Sequence, residues 1–174
     1  MAIAQAIAIL LRQNRSYSME IRQAKKSDLD SVYGIVQTTI KAIYPHYYPK
    51  GAVDFFISHH STENIASDID DNIVSIAFSE GKPIGTVTVK NDNINRLFVL
   101  PEEQGKGFGS QLLHFAESEI AKKYGTARLD SSLPAKQIYL KKGYMVIDSR
   151  SIRTEGEDFL CYDIMIKRVT QNED

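Results

Sequence analysis

The apolar positions of this 174-residue chain change their period along its length, and each change marks an element. Glu20 to Gln23 alternates as a short opening strand from Met19, with Ile21 inward and Arg22 outward. From Asp28 to about Ile40 the period lengthens: Leu29, Val32, Tyr33 and Val36 share one helical face, and Ser27 with Asp30 three residues later predicts a capped start. Ile43 to Pro49, with Tyr44, His46, Tyr47 and Tyr48 among two prolines, is predicted as a loop, followed by a second helix from Ala52 to His59. Runs rich in β-branched residues then predict strands at Ile73–Ser79, Ile84–Lys90 and Ile94–Leu100, separated by Glu80-Gly81-Lys82-Pro83 and Asn91-Asp92-Asn93 turns. Phe108, Leu112, Ala116 and Ile120, with Leu113 beside them, mark a core-facing helix that ends at Lys122, Lys123 and Gly125. A strand at Ala127–Ser131, a short helix at Ala135–Lys142 and a final hairpin of Tyr144–Ile152 and Phe159–Lys167 complete the order. There is no repeat, long linker or low-complexity tract.

Composition narrows the partners. With 43% hydrophobic and 25% charged residues, the chain can bury one substantial core as a single domain. The net charge of −1 and the lack of a basic run interleaved with aromatics give no electrostatic support for nucleic-acid binding, so a small or peptidic partner is expected. Cys161 is the single cysteine, which excludes an intramolecular disulfide and a multi-cysteine zinc site and suits a reducing cytoplasm. His59 and His60 are adjacent and cannot share a helix face, so no metal is expected there. Ala2 to Leu11 is apolar except for Gln5, but its positive charges, Arg12 and Arg15, follow the run instead of preceding it. That order is not a signal peptide's, and about ten residues cannot span a bilayer as a helix, so no membrane association is expected. An accessory helix and an upstream start both fit this segment.

The chemistry concentrates in Val99-Leu100-Pro101-Glu102-Glu103-Gln104-Gly105-Lys106-Gly107-Phe108-Gly109, between a strand and a helix. Alternating glycines let backbone approach a ligand, and amides opening a helix are unpaired at a positive dipole end, which together suit a phosphate or pyrophosphate. A P-loop fails because Leu100 and Gly107 stand where glycine and Ser or Thr are required, and a dinucleotide fingerprint is weak because Ser110 stands at its third glycine.

Gln104, Gly107 and Gly109, with Pro101 upstream, do match Gln/Arg-x-x-Gly-x-Gly/Ala. Tyr139-Leu140-Lys141-Lys142-Gly143-Tyr144 is similar to a Tyr-x-x-x-Gly-Phe segment, with tyrosine in place of phenylalanine. Through both motifs and the element order, residues 19–168 resemble the GNAT superfamily of N-acetyltransferases, with an extension at 1–18 and a tail at 169–174. The resemblance implies a mixed α/β (α+β) fold: a mostly antiparallel sheet of six or seven strands, splayed between the fourth and fifth and flanked by about four helices. It also implies transfer of an acetyl group from acetyl-CoA to a primary amine of a small molecule, polyamine, amino acid or peptide. The alternative is a non-catalytic CoA-binding or regulatory module on the same fold. A homodimer through the last hairpin is a further implication.

The resemblance carries roles to particular residues. Gln104, Gly105, Lys106, Gly107, Phe108, Gly109 and Ser110 form the pyrophosphate loop, the amides of Gly107 to Ser110 being stronger ligands than the Lys106 side chain. Backbone groups near Phe98 and Val99 meet the pantetheine arm and the thioester oxygen. Tyr139 is the general acid for the departing thiolate, since a phenol with a pKa of about 10 is protonated at neutral pH. Ser132 stands where relatives carry an asparagine on the cofactor, and its hydroxyl either keeps that role or caps the helix at Ala135. Asn93 to Phe98 contains no carboxylate, which leaves Asp92 and Asp130 as water-mediated bases or an amine that arrives neutral. Tyr44, Tyr47 and Tyr48 form an aromatic wall toward the acceptor, with His59 or His60 nearby, or pack against the sheet.

Overall fold

A computed structural model of the chain describes residues 18–171; the extension before Ser18 and residues 172–174 lie outside the described residues. Seven strands join in one sheet of order β1-β2-β3-β4-β5-β7-β6: β1 Glu20–Gln23, β2 Val74–Ser79, β3 Lys82–Lys90, β4 Asn93–Val99, β5 Thr126–Ser131, β6 Met145–Arg153 and β7 Phe159–Arg168. Neighbours are antiparallel except β4 and β5, whose parallel pairing is limited to Asn93 with Arg128 and Ile94 with Leu129. Beyond Ile94 the two strands part. This is the mixed α/β architecture implied by the two motifs.

Helices cover both faces. On one, α1 (Leu29–Ile43), α2 (Lys50–His59) and α3 (Thr62–Asp70) bury Val32, Val36, Ile40, Ile65 and Ile69 against Val74, Ile76 and Phe98. On the other, α4 (Phe108–Ala121) buries Leu112, Leu113, Ala116 and Ile120 against Val87, Ile94, Leu129 and Met165. The short α5 (Lys136–Lys141) follows β5, and β6 is an edge strand exposed along its whole length. No described helix is long and apolar enough to cross a membrane.

Two local expectations change. Ser27 does not cap α1; the Asp28 carboxylate accepts the Lys25 N–H at 2.7 Å and is clamped by both terminal nitrogens of Arg22 at 2.8 and 2.9 Å. A bidentate guanidinium holds that carboxylate where a neutral serine would not. Helix α3 is an addition to the four helices expected. It buries Ile65 and Ile69, one i,i+4 pair whose stripe is only two apolar residues long, and it is capped by the Ser61 hydroxyl accepting the Asn64 N–H at 3.3 Å.

Candidate active site

The site begins with one extra residue in β4. Thr88 pairs with Arg96 and Val89 with Ile94, so Asn95 is a bulge. A bulge reverses which face and which edge the following residues address. Ile94, Leu97 and Val99 therefore all pack on the α4 side, whereas Phe98 joins the α1–α3 core. The backbone shares this phase. Leu100 donates its N–H to the Ile84 carbonyl at 2.9 Å, so two residues earlier Phe98 also bonds to β3, and Leu97 and Val99 address the gap toward β5. The expectation of unpaired backbone at Phe98 is thus corrected: its peptide groups belong to the β3 ladder, and Leu97 and Val99 are the residues that face the gap. At Val99 only the N–H remains, because the carbonyl accepts from the Gln104 side chain at 3.0 Å and the Thr39 hydroxyl at 3.2 Å.

The glycine loop meets this gap. Gly105 and Gly107 have φ of 77° and 90°, and nothing lies within 4 Å of where a β-carbon would sit on either, so conformation and not space demands glycine. The N–H groups of Gly105, Gly107 and Gly109 have no acceptor among the described residues, while that of Ser110 is turned to the Gly107 carbonyl at 3.1 Å. Three amide donors at the start of a helix of this length fit a pyrophosphate. Lys106 pairs with Glu103 at 2.8 Å, and the ring of Phe108 lies in the α4 core, 1% exposed.

A cleft of about 670 Å³ runs from this loop past Leu97–Val99 to Ser132 and Tyr139, with Tyr44 and Tyr47 at its side. A second, of about 580 Å³, opens among Phe55, His59, Asp68, Lys90, Ile152 and Tyr162. Both include Phe56, His60, Ile94, Asn95, Arg96, Asp130 and Ser132, so they meet where β4 and β5 part. Asp92 lines neither. The backbone of Asp130 lies in the β5–β7 ladder, while its carboxylate has no hydrogen bond or ion pair among the described residues and feels the charge of Arg150.

Tyr139 stands against Tyr144 with ring centroids 5.6 Å apart, and its hydroxyl has no protein partner among the described residues. Burial, and to a smaller extent Tyr44, push its pKa well above that of a free phenol. The tyrosine wall divides. Tyr44 is 8% exposed, packs edge-on to Phe56 at 4.7 Å and donates to the Ser132 hydroxyl at 3.4 Å. Tyr48 lines neither cleft: it is 6% exposed, donates to the Cys161 carbonyl at 3.0 Å and accepts the Leu133 N–H at 2.7 Å, tying the α1–α2 connection to β7 and the β5–α5 loop. Tyr47 alone of the three is well exposed, at 53%. Nor does the Ser132 hydroxyl cap α5. The Ser132 carbonyl accepts the N–H groups of Ala135 and Lys136, both at 3.1 Å, leaving the hydroxyl to Tyr44.

Arg96 is the residue that sequence reasoning passed over. Its guanidinium, 5% exposed, donates to Asp68 and to the Thr88 hydroxyl, each at 2.9 Å, and to Nδ1 of His60 at 3.3 Å. The available signal was a charge inside the apolar run Ile94 to Val99. His60 is 6% exposed; burial first, then the Arg96 charge and His59, push its pKa down to about 3.

Comparison with known proteins bears on this geometry. The profile of the Acetyltransferase (GNAT) domain matches residues 43–164, more than half of the chain. The chain belongs to the GNAT acetyltransferase family. No curated protein matches it in sequence. Among solved structures, a GCN5-related N-acetyltransferase from Rhodopseudomonas palustris superposes with a TM-score of 0.81 at 21% identity, over 90% of this chain and 99% of that one. The PaiA N-acetyltransferase of Thermoplasma acidophilum, solved in complex with coenzyme A, gives 0.68 at 26% identity over 87% and 99%. The ribosomal-protein-S18-alanine N-acetyltransferase of Escherichia coli gives 0.65 at 20% over 90% and 97%. The first and third share the fold. In this GNAT acetyltransferase, as elsewhere in open sheets, the two clefts converge where neighbouring strands leave backbone groups unpaired.

Proposed function

We propose that this acetyltransferase moves the acetyl group of acetyl-CoA to a primary amine of a small molecule, polyamine, amino acid or peptide. The observation that carries the reading is the meeting of two clefts at the β4–β5 gap, one bordered by the glycine-loop amides and the other by Asp68 and Asp130. Acetyl-CoA, when bound, supplies a thioester carbonyl for attack and a thiolate leaving group. The amides of Gly105, Gly107 and Gly109 hold its pyrophosphate, and the N–H groups of Leu97 and Val99 line the gap along which the pantetheine arm lies. The Tyr139 hydroxyl keeps its proton at neutral pH, because burial disfavours the phenolate, and gives it to the departing sulfur. Asp130, unpaired and shared by both clefts, draws an ammonium toward the junction and takes its proton directly or through water.

The experiment is thermal unfolding with acetyl-CoA, CoA, ATP and NAD, then an amine panel scored by free-thiol release. A shift selective for acetyl-CoA and CoA, with thiol release that requires an amine, supports the proposal. Binding without amine-dependent release favours a non-catalytic CoA module, and a shift with ATP or NAD alone overturns the CoA cradle.

A further inference from the structure

His60 stands at the junction of the two clefts and is the residue there whose protons are settled by its neighbour. Its backbone is fixed: it ends α2, donates its N–H to the Phe56 carbonyl at 3.1 Å and accepts the Gln37 amide on its own carbonyl at 2.9 Å. Its ring is held edge-on between Phe98 and His59, centroids 5.5 and 5.0 Å away. Nδ1 receives the Nε–H of Arg96 at 3.3 Å, and Arg96 is itself immobilised by Asp68 of α3 and Thr88 of β3. A guanidinium has five N–H donors and no acceptor, so Nδ1 must offer a lone pair and the ring proton must sit on Nε2. Nε2 has no protein partner among the described residues.

We propose that Arg96 locks His60 as a neutral Nε2–H imidazole, a fixed hydrogen-bond donor at the junction that binds an oxygen of the acceptor, so that the preferred acceptors are amines bearing a carbonyl on the adjacent carbon. The proposal rests on the amine-acceptor reading above and deepens it. In this tautomer His60 has no lone pair for the amine's proton, and recruiting it as a base would break the Arg96 contact. Asp130 lines the same two clefts. A carboxylate for the ammonium and an N–H for an oxygen together match an α-amino carbonyl compound, such as an amino-acid amide or a peptide N-terminus. A polyamine has no oxygen to give and leaves the N–H unsatisfied, which costs a factor of about ten or more. The low pKa of His60 agrees with the geometry: its burial, the Arg96 charge from β4 and neighbouring His59 all oppose protonation, and Asp68 is engaged by Arg96.

Two measurements on the full chain test this. Long-range ¹H–¹⁵N spectra of histidine-labelled protein should show His60 with a bare Nδ1 and a protonated Nε2, unchanged between about pH 6 and 8. A proton on Nδ1 overturns the lock. The second is kcat/KM for alaninamide against 2-aminobutane, which replaces the carboxamide by an ethyl group. The preference for alaninamide should fall about tenfold in His60→Phe and return in His60→Gln, whose side-chain NH2 stands near the former Nε2. An unchanged preference in a folded His60→Phe, or no recovery in His60→Gln, overturns the donor role. If the wild type acetylates neither amine while the spectra show the stated tautomer, the acceptor reading fails and takes the substrate class with it, but not the lock.

Discussion

Replacing Gly109 by alanine separates the loop's contribution to stability from its contribution to binding, because the two should move in opposite directions. Gly109 is the second residue of α4, is not among the glycines with positive φ, and an added β-carbon would meet only Val99 Cγ2 at 3.9 Å, an ordinary contact. Alanine at such a position restricts the unfolded chain without straining the folded one, a gain of about 0.4–1 kcal/mol. For a domain of this size the melting temperature should rise by about 1–4 °C without ligand. The same methyl group stands on a cleft-lining residue whose N–H has no other acceptor, so it should hold a pyrophosphate off that amide. At 100 times Kd a ligand stabilises by about 2.7 kcal/mol, and a tenfold loss of affinity reduces this to about 1.4. The assay is thermal denaturation of both proteins with and without acetyl-CoA at one fixed concentration. A lower melting temperature for the free variant would refute the conformational reasoning, and an undiminished acetyl-CoA increment would refute the cradle.

Tyr139→Phe should lower kcat by about 100-fold, the lower range for a lost general acid, with the acetyl-CoA thermal shift preserved; unchanged turnover at saturating substrates would remove Tyr139 from the chemistry. Tyr48→Phe removes the hydroxyl shared by the Leu133 N–H and the Cys161 carbonyl, two part-buried hydrogen bonds of about 0.5–1.5 kcal/mol each, and should cost about 1–3 kcal/mol in urea unfolding, whereas a cost below about 0.5 would mean the loop reseats itself. Asp28 and Asp163 have pKa values held down chiefly by hydrogen bonds from Arg22 and from Lys136 with Ser149, respectively. Their stabilisation is therefore present above the unfolded carboxylate value of about 3.9 and lost as pH falls through the lower folded values. Asp163→Asn should flatten this acid limb, and an unaltered stability–pH curve below about pH 4 would contradict it.

Much of the molecule is dictated by local periodicity. The stripes of α1 and α4, the alternation of β2 to β4 and the turns between them are decided by which positions must be apolar to reach one core, and this information is local. The glycine loop was legible for a related reason: Gly105 and Gly107 adopt backbone conformations that other residues resist, so their identity records geometry directly. What sequence could not decide is where a side chain's polar end finds its partner. Tyr44, Tyr47 and Tyr48 are equivalent as letters, yet one bonds Ser132, one is exposed and one bridges Leu133 and Cys161, contacts set by segments more than 80 positions away. The Asn95 bulge exchanges the roles of Phe98 and Leu97, because a strand's edge phase depends on its partner's register and not on its own alternation. Arg96 was a lone charge in a strand until α2, α3 and β3 brought His60, Asp68 and Thr88 around it. The chain order thus determined the scaffold and the glycine loop, and tertiary packing alone assigned the hydrogen-bond donors and acceptors at the junction, since hydrogen bonds form between neighbours in space whatever their separation in sequence.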